Sequence, residues 1–128
     1  MAQIIGEVAG DEDLKRFEAA PVALLTFYTP TFKQQNTLVE EIAADYGEFL
    51  AVAFVDIVAH PALAARFAVC GLPVSVLLRH GRVVRRLSGA LPKDAYLRAI
   101  NSELAADPAW RMVALAASGE AHLAHVSG

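Results

Sequence analysis

Two stretches of almost unbroken apolar residues constrain this chain more than any other feature. They are residues 21–28 (PVALLTFY) and residues 49–57 (FLAVAFVDI). Apolar runs of this length are typical of strands buried on both faces, as in sheets covered by helices on each side. Between the two runs, Leu38, Ile42 and Tyr46 recur every four residues among acidic residues, which predicts an amphipathic helix. A strand, a helix and a second strand in this order predict a parallel crossover.

Shorter elements precede and follow these two strands. Residues 3–8 (QIIGEV) predict a strand, and Asp11 is a favourable N-cap for a helix after it. Downstream of the second long run, His60 and Pro61 open a short Ala-rich helix that Gly71 helps to end. These elements add a strand and a helix before the central pair and a helix after it.

The second half of the chain predicts a hairpin and a final helix. Residues 74–78 and 83–87 flank the sequence RHGR, where glycine allows the positive φ of a tight turn, so these two strands are antiparallel. Residues 92–104 form an amphipathic helix with Ala95, Leu97 or Tyr96, and Ile100 facing inward. The predicted order is βαβαβαββα. The fold class is therefore α/β, a three-layer fold with a mixed β-sheet and helices on both faces.

Composition limits the class of protein. The chain has 128 residues, 55% of them hydrophobic, which suffices for one core and one domain. Its 11 basic and 14 acidic residues give a formal charge of -3, so no broad positive field is available for nucleic acid. Residues 1–7 do not form a signal peptide, and no apolar run reaches the roughly 18 to 20 residues that cross a bilayer. We therefore expect a cytoplasmic protein with no nucleic-acid or membrane partner and no cofactor.

A short extension follows the predicted domain. We divide the chain into a domain of residues 1–106 and a C-terminal helical extension of residues 107–128. Asp107 and Pro108 form a favourable start for a short extra helix, and an apolar segment follows from Trp110. We expect the Trp110 helix to dock on the body of the same chain, and a homodimer or partner surface is the alternative.

Residues 21–104 resemble the thioredoxin superfamily, read from its second strand to its last helix. The resemblance covers about two thirds of the chain. It rests on Phe27-Tyr28, residues 40–57, CGLP at residues 70–73, the HG turn at residues 80–81 and SGALPKDAYLRAI from Ser88. It implies a thioredoxin-like arrangement of the three layers.

The chain departs from this family at the redox site. Where the family has a Trp-Cys-Gly-Pro-Cys-Lys motif, this chain reads YTPTFK and is about three residues shorter. Either Thr29 and Phe32 or Phe32 and Gln35 take the positions of the cysteines, and neither choice restores a thiol. The family's buried acid falls on Thr26 and its nearby lysine on Phe54. Because disulfide exchange needs a low-pKa thiolate and a second thiol, the resemblance implies that this chain is not an oxidoreductase of the usual kind.

The resemblance extends to the loop with which the family binds peptides. Pro73 aligns with the family's cis-proline, and the resemblance implies that the backbone of Leu72 pairs with an extended peptide. The resemblance further implies a surrounding surface formed by Tyr28, Thr29, Phe32 and Gly89. We therefore expect a redox-inactive accessory or chaperone-type module that binds a protein or extended peptide in the cis-proline groove.

Cys70 offers an alternative function. It is the only cysteine, so it cannot close an intramolecular disulfide or contribute to a thiolate cage for zinc. A lone cysteine in an apolar stretch is usually buried and inert, which is the interpretation we favour. The alternative is a thiol-disulfide oxidoreductase or redox sensor that acts through Cys70 and an external resolving thiol.

Four arginines surround the predicted hairpin turn and its histidine, His80. They are Arg79, Arg82, Arg85 and Arg86. They either bind an acidic partner or an anion, or protect an edge strand from pairing with other chains, and we favour protection.

Three histidines are possible metal ligands. His60 is isolated, while His122 and His125 lie three residues apart near Glu120. No nearby thiol or group of acids completes a coordination set, so we expect no metal site.

Overall fold

A computed structural model describes residues 4–17 and 20–107 of the chain. Their elements follow the predicted order βαβαβαββα. The strands are β1 (Ile4–Glu7), β2 (Val22–Tyr28), β3 (Leu50–Asp56), β4 (Val74–Arg79) and β5 (Arg82–Ser88). The α-helices are α1 (Asp11–Phe17), α2 (Gln35–Tyr46), α3 (Pro61–Arg66) and α4 (Lys93–Leu104), and a short 3₁₀ turn (Gly47–Phe49) connects α2 to β3.

The strands form one mixed sheet with the order β1-β3-β2-β4-β5. β1 and β2 run parallel to β3, whereas β4 runs antiparallel to β2 and β5 antiparallel to β4. The two long apolar runs lie next to each other at the centre, and the hairpin occupies one side. The predicted α/β class and mixed sheet are confirmed.

Helices cover both faces of the two central strands. Every residue of β2 and β3 is buried except the last of each, Tyr28 and Asp56. Successive residues of β2 point to opposite faces of the sheet and belong to two separate apolar clusters. Leu24 packs in the cluster with α2 and α4, and Leu25 packs in the cluster with α1 and α3. This two-sided burial explains why β2 and β3 show almost no alternation of polar and apolar residues.

The two longest helices bury faces that are shifted from the predicted ones. Leu38, Ala95 and Leu97 are only partly buried, although the periodicity placed Leu38 and Ala95 inward and left Leu97 as an option. Because positions three and four apart share a helix face, packing against the sheet, not periodicity, selects the central line of the face. The buried residues are Val39, Ile42, Ala43 and Tyr46 in α2, and Tyr96, Ala99, Ile100 and Leu104 in α4.

The chain leaves α3 at Ala68 and not at Gly71. Ala68 has a φ of 56°, its N–H donates to the carbonyl of Ala65, and the N–H of Val69 donates to that of Ala64. This pair of bonds is the Schellman motif, whose left-handed position is usually glycine. The left-handed conformation costs an L-residue about 1–2 kcal/mol.

The Ala68→Gly substitution is therefore expected to stabilise the protein. Glycine relieves the backbone strain but loses more entropy on folding, so we expect a net gain of about 0.5–1 kcal/mol in the free energy of unfolding. Urea denaturation measures this gain. The matched control is Ala65→Gly inside α3, which should lose about 1 kcal/mol, and a loss in both variants would contradict the assignment.

The β4–β5 hairpin ends the sheet. His80 and Gly81 occupy the turn with φ values of 51° and 80°, as the tight turn requires. A bulge interrupts the pairing between Leu77 and Leu78, and β5 lies at the edge of the sheet. Charged residues and a bulge on an edge strand are the devices that discourage pairing with another chain.

Several predictions concern residues outside the described ranges. The Trp110 helix, its docking or dimer alternatives, most of the 107–128 extension, and His122 and His125 belong to this group. Across residues 4–17 and 20–107, no group of three His, Cys, Asp or Glu side chains is arranged to hold a metal ion. None of the helices in these residues is long and apolar enough to cross a membrane.

Candidate functional site

The loop before β4 contains the cis peptide bond between Leu72 and Pro73. The carbonyl of Pro73 accepts a hydrogen bond of 2.9 Å from the N–H of Gly89, which continues the β4–β5 pairing past Val74 and Ser88. Gly89 has a φ of 92°, a conformation that residues with a Cβ rarely adopt. The turn at Gly89 therefore positions the Pro73 loop from the side of β5.

Leu72 presents an unpaired backbone next to this bond. In the part of the chain that the structure describes, no hydrogen bond involves the N–H or the C=O of Leu72. Its side chain is partly buried against the apolar cluster of α1 and α3, which orients the residue. A free donor and a free acceptor on one residue are what an added extended segment needs for β-type pairing.

A cleft lies on each side of Pro73, and we call the two together the Pro73 groove. One cleft has a volume of about 270 Å³, and Leu72 forms part of its wall. The other has a volume of about 220 Å³, and Phe27 forms part of its wall. Further lining residues are Cys70, Arg86, Ser88 and Gly89 in the first cleft, and Phe32, Lys33, Gln35, Asn36 and Ala90 in the second.

A tight turn replaces the loop in which the resemblance places two cysteines. The N–H of Thr29 donates to the carbonyl of Phe32 at 3.3 Å, and the N–H of Phe32 donates back at 3.0 Å. α2 begins three residues later, at Gln35. The turn brings the ring of Phe32, which is 38% exposed, to the wall of the second cleft.

Two amide side chains of the site have environments that the sequence did not indicate. Nε2 of Gln35 donates to the carbonyl of Leu91 at 2.9 Å and to the hydroxyl of Tyr96 at 3.1 Å, which ties the start of α2 to α4. Oδ1 of Asn36 is buried without a hydrogen-bond partner among the described residues. These partners lie more than 50 positions away from Gln35, so no local pattern indicates them.

A neutral hydroxyl pair stands where the resemblance places a buried acid. Oγ1 of Thr26 and Oγ of Ser75 are 2.9 Å apart, and both residues are fully buried at a paired position of β2 and β4. Phe54, which replaces the family's lysine, pairs with Thr26 in the sheet and is also buried. No charged group therefore serves as a proton donor or acceptor at these two positions.

Tyr28 bonds to the first strand of the sheet. Its hydroxyl donates to Oε1 of Glu7 at 2.8 Å. Desolvation, the bond to Glu7 and the negative charges of Glu7 and Asp56 raise the pKa of Tyr28 to about 12. The phenol is thus held protonated as a donor at neutral pH.

Tyr28→Phe is expected to reduce the loss of stability at alkaline pH. An unfolded tyrosine titrates near pH 10, so between about pH 10 and 12 the unfolded state binds fewer protons and stability falls as pH rises. In the variant, the free energy of unfolding should therefore fall less steeply with pH over this range, as measured by urea denaturation. The ionisation of Tyr28 near pH 12 should also be visible as a change in tyrosine absorbance. Tyr46→Phe is the control and should retain this absorbance change. An unchanged absorbance transition in Tyr28→Phe would contradict the assignment.

Cys70 is exposed, so the interpretation that it is buried is wrong. The reversal of the chain at Ala68 turns Cys70 and Gly71 outward to solvent, although the stretch is apolar in composition. Its Sγ lies 3.5 Å from the carbonyl of Ala68, and its side chain lines the first cleft. Local hydropathy did not indicate this exposure because the helix ending decides it.

The structure brings most of the predicted site residues together at one place. Leu72 and Gly89 line the first cleft, Phe32 lines the second, and Pro73 lines both. Tyr28 and Thr29 are not among the residues that line these two clefts. A binding role stays a prediction for all six residues.

Known proteins with similar sequences belong to the family that the fold and the cis-proline loop indicate. No family model matches the chain. A thioredoxin from Mycolicibacterium smegmatis is 42% identical over 74 residues, which cover 56% of this chain and 66% of that protein. A thioredoxin from Chlamydia caviae is 29% identical over 98 residues, covering 74% of this chain and 95% of that protein.

Solved structures agree with the sequence comparison. A thioredoxin variant from Halobacterium salinarum superimposes with a TM-score of 0.73 at 28% identity, covering 80% of this chain and 95% of that one. The five-stranded mixed sheet with helices on both faces is thus the thioredoxin fold. The chain belongs to the thioredoxin superfamily.

Proposed function

We propose that this chain is a redox-inactive member of its superfamily that binds an extended protein segment in the Pro73 groove, in an accessory or chaperone-type role. The observation that carries the proposal is the backbone of Leu72, which has no hydrogen-bond partner among the described residues and lies in the first cleft, next to the Pro73 that both clefts share. A bound segment gains backbone hydrogen bonds there without any thiol chemistry.

The loss of redox groups supports the same proposal. The turn from Thr29 to Phe32 holds no thiol, and the sequence has only one cysteine. Thr26 and Phe54 stand in place of the acid and the lysine, so the groups that would move protons during exchange are absent with the thiols. A protein that retains the groove and lacks these groups is suited to binding.

The first experiment measures binding of a fluorescent peptide with an apolar, β-branched centre, together with amide chemical shifts. We expect the largest shifts at Leu72 and Gly89. Ala90→Trp, which places a bulky ring at an exposed position in the second cleft, should weaken binding at least about tenfold. Ala44→Trp, on an exposed face of α2, is the matched control and should bind as the wild type does. Equal binding by both tryptophan variants would overturn the proposal.

A second function is favoured by the exposure of Cys70 in the first cleft. Its thiolate would attack a partner disulfide to form a mixed disulfide and release one partner thiol, and an external thiol such as glutathione would then release Cys70. A disulfide-reduction assay with glutathione separates the two functions. Binding alone predicts background rates for the wild type and for Cys70→Ser, whereas a wild-type rate that is lost in Cys70→Ser would establish the thiol function.

A further inference from the structure

The two clefts of the Pro73 groove share an electrostatic feature. Among the residues that the structure describes, each cleft is lined by a single charged residue, and in both it is a cation, Arg86 in the first and Lys33 in the second. No carboxylate is among the described lining residues of either cleft. The groove is therefore locally positive in a chain whose formal charge is -3.

These two cations differ from the basic residues nearby. Arg85 forms an ion pair with Glu103 at 3.0 Å, and Lys93 pairs with Asp45 at 3.4 Å. Neither Lys33 nor Arg86 has a carboxylate partner within residues 4–17 and 20–107. Their charges are thus uncompensated at the two clefts.

Arg86 is also held in position. Its Nη2 donates to the carbonyl of Phe67 at 2.7 Å, which anchors the guanidinium at the end of α3. A guanidinium has five N–H donors in a planar arrangement, so others remain for a ligand. An anchored guanidinium loses less freedom when it binds a carboxylate, and it can bind one through two parallel hydrogen bonds.

We propose that the extended segment bound at Leu72 carries acidic side chains on both sides of an apolar centre. The apolar centre covers Leu72, Pro73 and Phe32, while one acidic flank reaches Arg86 and the other reaches Lys33. This inference rests on the proposed binding function and adds the chemistry of the partner. Charge complementarity of this kind selects among partners more than it raises overall affinity.

The test uses three labelled peptides with the same apolar centre and with flanks of Glu, Gln or Lys, measured by fluorescence anisotropy at low salt. We expect the Glu-flanked peptide to bind about tenfold more tightly than the Gln-flanked one and the Lys-flanked one to bind most weakly. This advantage should shrink in high salt because the charges are near the surface.

Variants assign the effect to the two cations. Arg86→Gln and Lys33→Gln should each weaken binding of the Glu-flanked peptide about three- to fivefold and leave the Gln-flanked peptide unchanged. Arg82→Gln, an exposed arginine at the other end of β5, is the matched control and should change neither affinity. Equal sensitivity to all three substitutions would indicate a general charge effect and overturn the inference.

The outcomes separate this inference from the proposed function. If all three peptides bind alike and Ala90→Trp abolishes their binding, the groove function stands and the acidic preference is wrong. If a single-stranded oligothymidine competes as well as the Glu-flanked peptide, the site recognises negative charge alone and the inference is also wrong. If none of the peptides binds, both proposals fail together.

Discussion

Thr26→Asp is expected to lose about 3–5 kcal/mol of its free energy of unfolding near neutral pH. Thr26 is fully buried, with Ser75 opposite it on β4 and the ring of Phe54 opposite it on β3. A carboxylate at this position lacks the cation that would compensate its charge, and an uncompensated buried charge costs this much. Urea denaturation measures the loss.

The pH dependence of this variant gives a second check. Burial raises the pKa of the introduced carboxyl group above its unfolded value of about 3.9, so the folded state binds more protons above that pH. The sign follows directly: stability is greatest below about pH 4 and falls as pH rises towards the folded pKa. Thr26→Val is the control. It leaves the Ser75 hydroxyl unpaired, which costs about 1–3 kcal/mol with no dependence on pH. Identical losses and flat pH profiles in both variants would show that the position is solvated.

Phe27→Ala is expected to lose about 3–5 kcal/mol of stability, because it removes a ring that is 1% exposed. The ring packs against Phe67 with centroids 5.8 Å apart, and it also lines the second cleft. Its loss creates a cavity beneath the Pro73 groove. Thermal or urea denaturation provides the measurement.

Phe32→Ala makes the same chemical change on the same cleft and serves as the matched control. Since Phe32 is 38% exposed, its truncation should change stability by less than about 0.5 kcal/mol while weakening peptide binding. The two variants thus distinguish a buried ring that supports the groove, Phe27, from an exposed ring that contacts the bound peptide, Phe32. A large stability loss in Phe32→Ala, or unaltered peptide binding in that variant, would show that the ring acts differently.

Some parts of the site could be predicted from the sequence and others could not. The Leu72–Pro73 loop and Gly89 were identified because they follow the resemblance residue by residue. The exposure of Cys70 was missed because it depends on the left-handed turn at Ala68, a position where the sequence has no glycine. Gln35 was considered only as the position of a lost cysteine, although its amide joins α2 to α4.

The hydrogen bond from Tyr28 to Glu7 illustrates a second limit. Both residues end strands of the same sheet, and β3 lies between those strands. Residues 21 positions apart meet there only because strand order and register place them so. Sequence periodicity assigns a residue to a face of its own element, and it carries no information about which element comes next across the sheet.

By itself, the sequence determined the order of elements, the two central strands, the hairpin turn and the absence of a dithiol. These depend on local properties, namely continuous apolar runs, helical periodicity, the HG turn and the count of cysteines. Only the tertiary structure decided which cations at the Pro73 groove have no carboxylate partner among the described residues, where Cys70 points and how the backbone of Leu72 is left unpaired within those residues. Those features arise from contacts between distant residues, because the packing of helices and strands on one sheet sets which charges, hydroxyls and backbone groups meet.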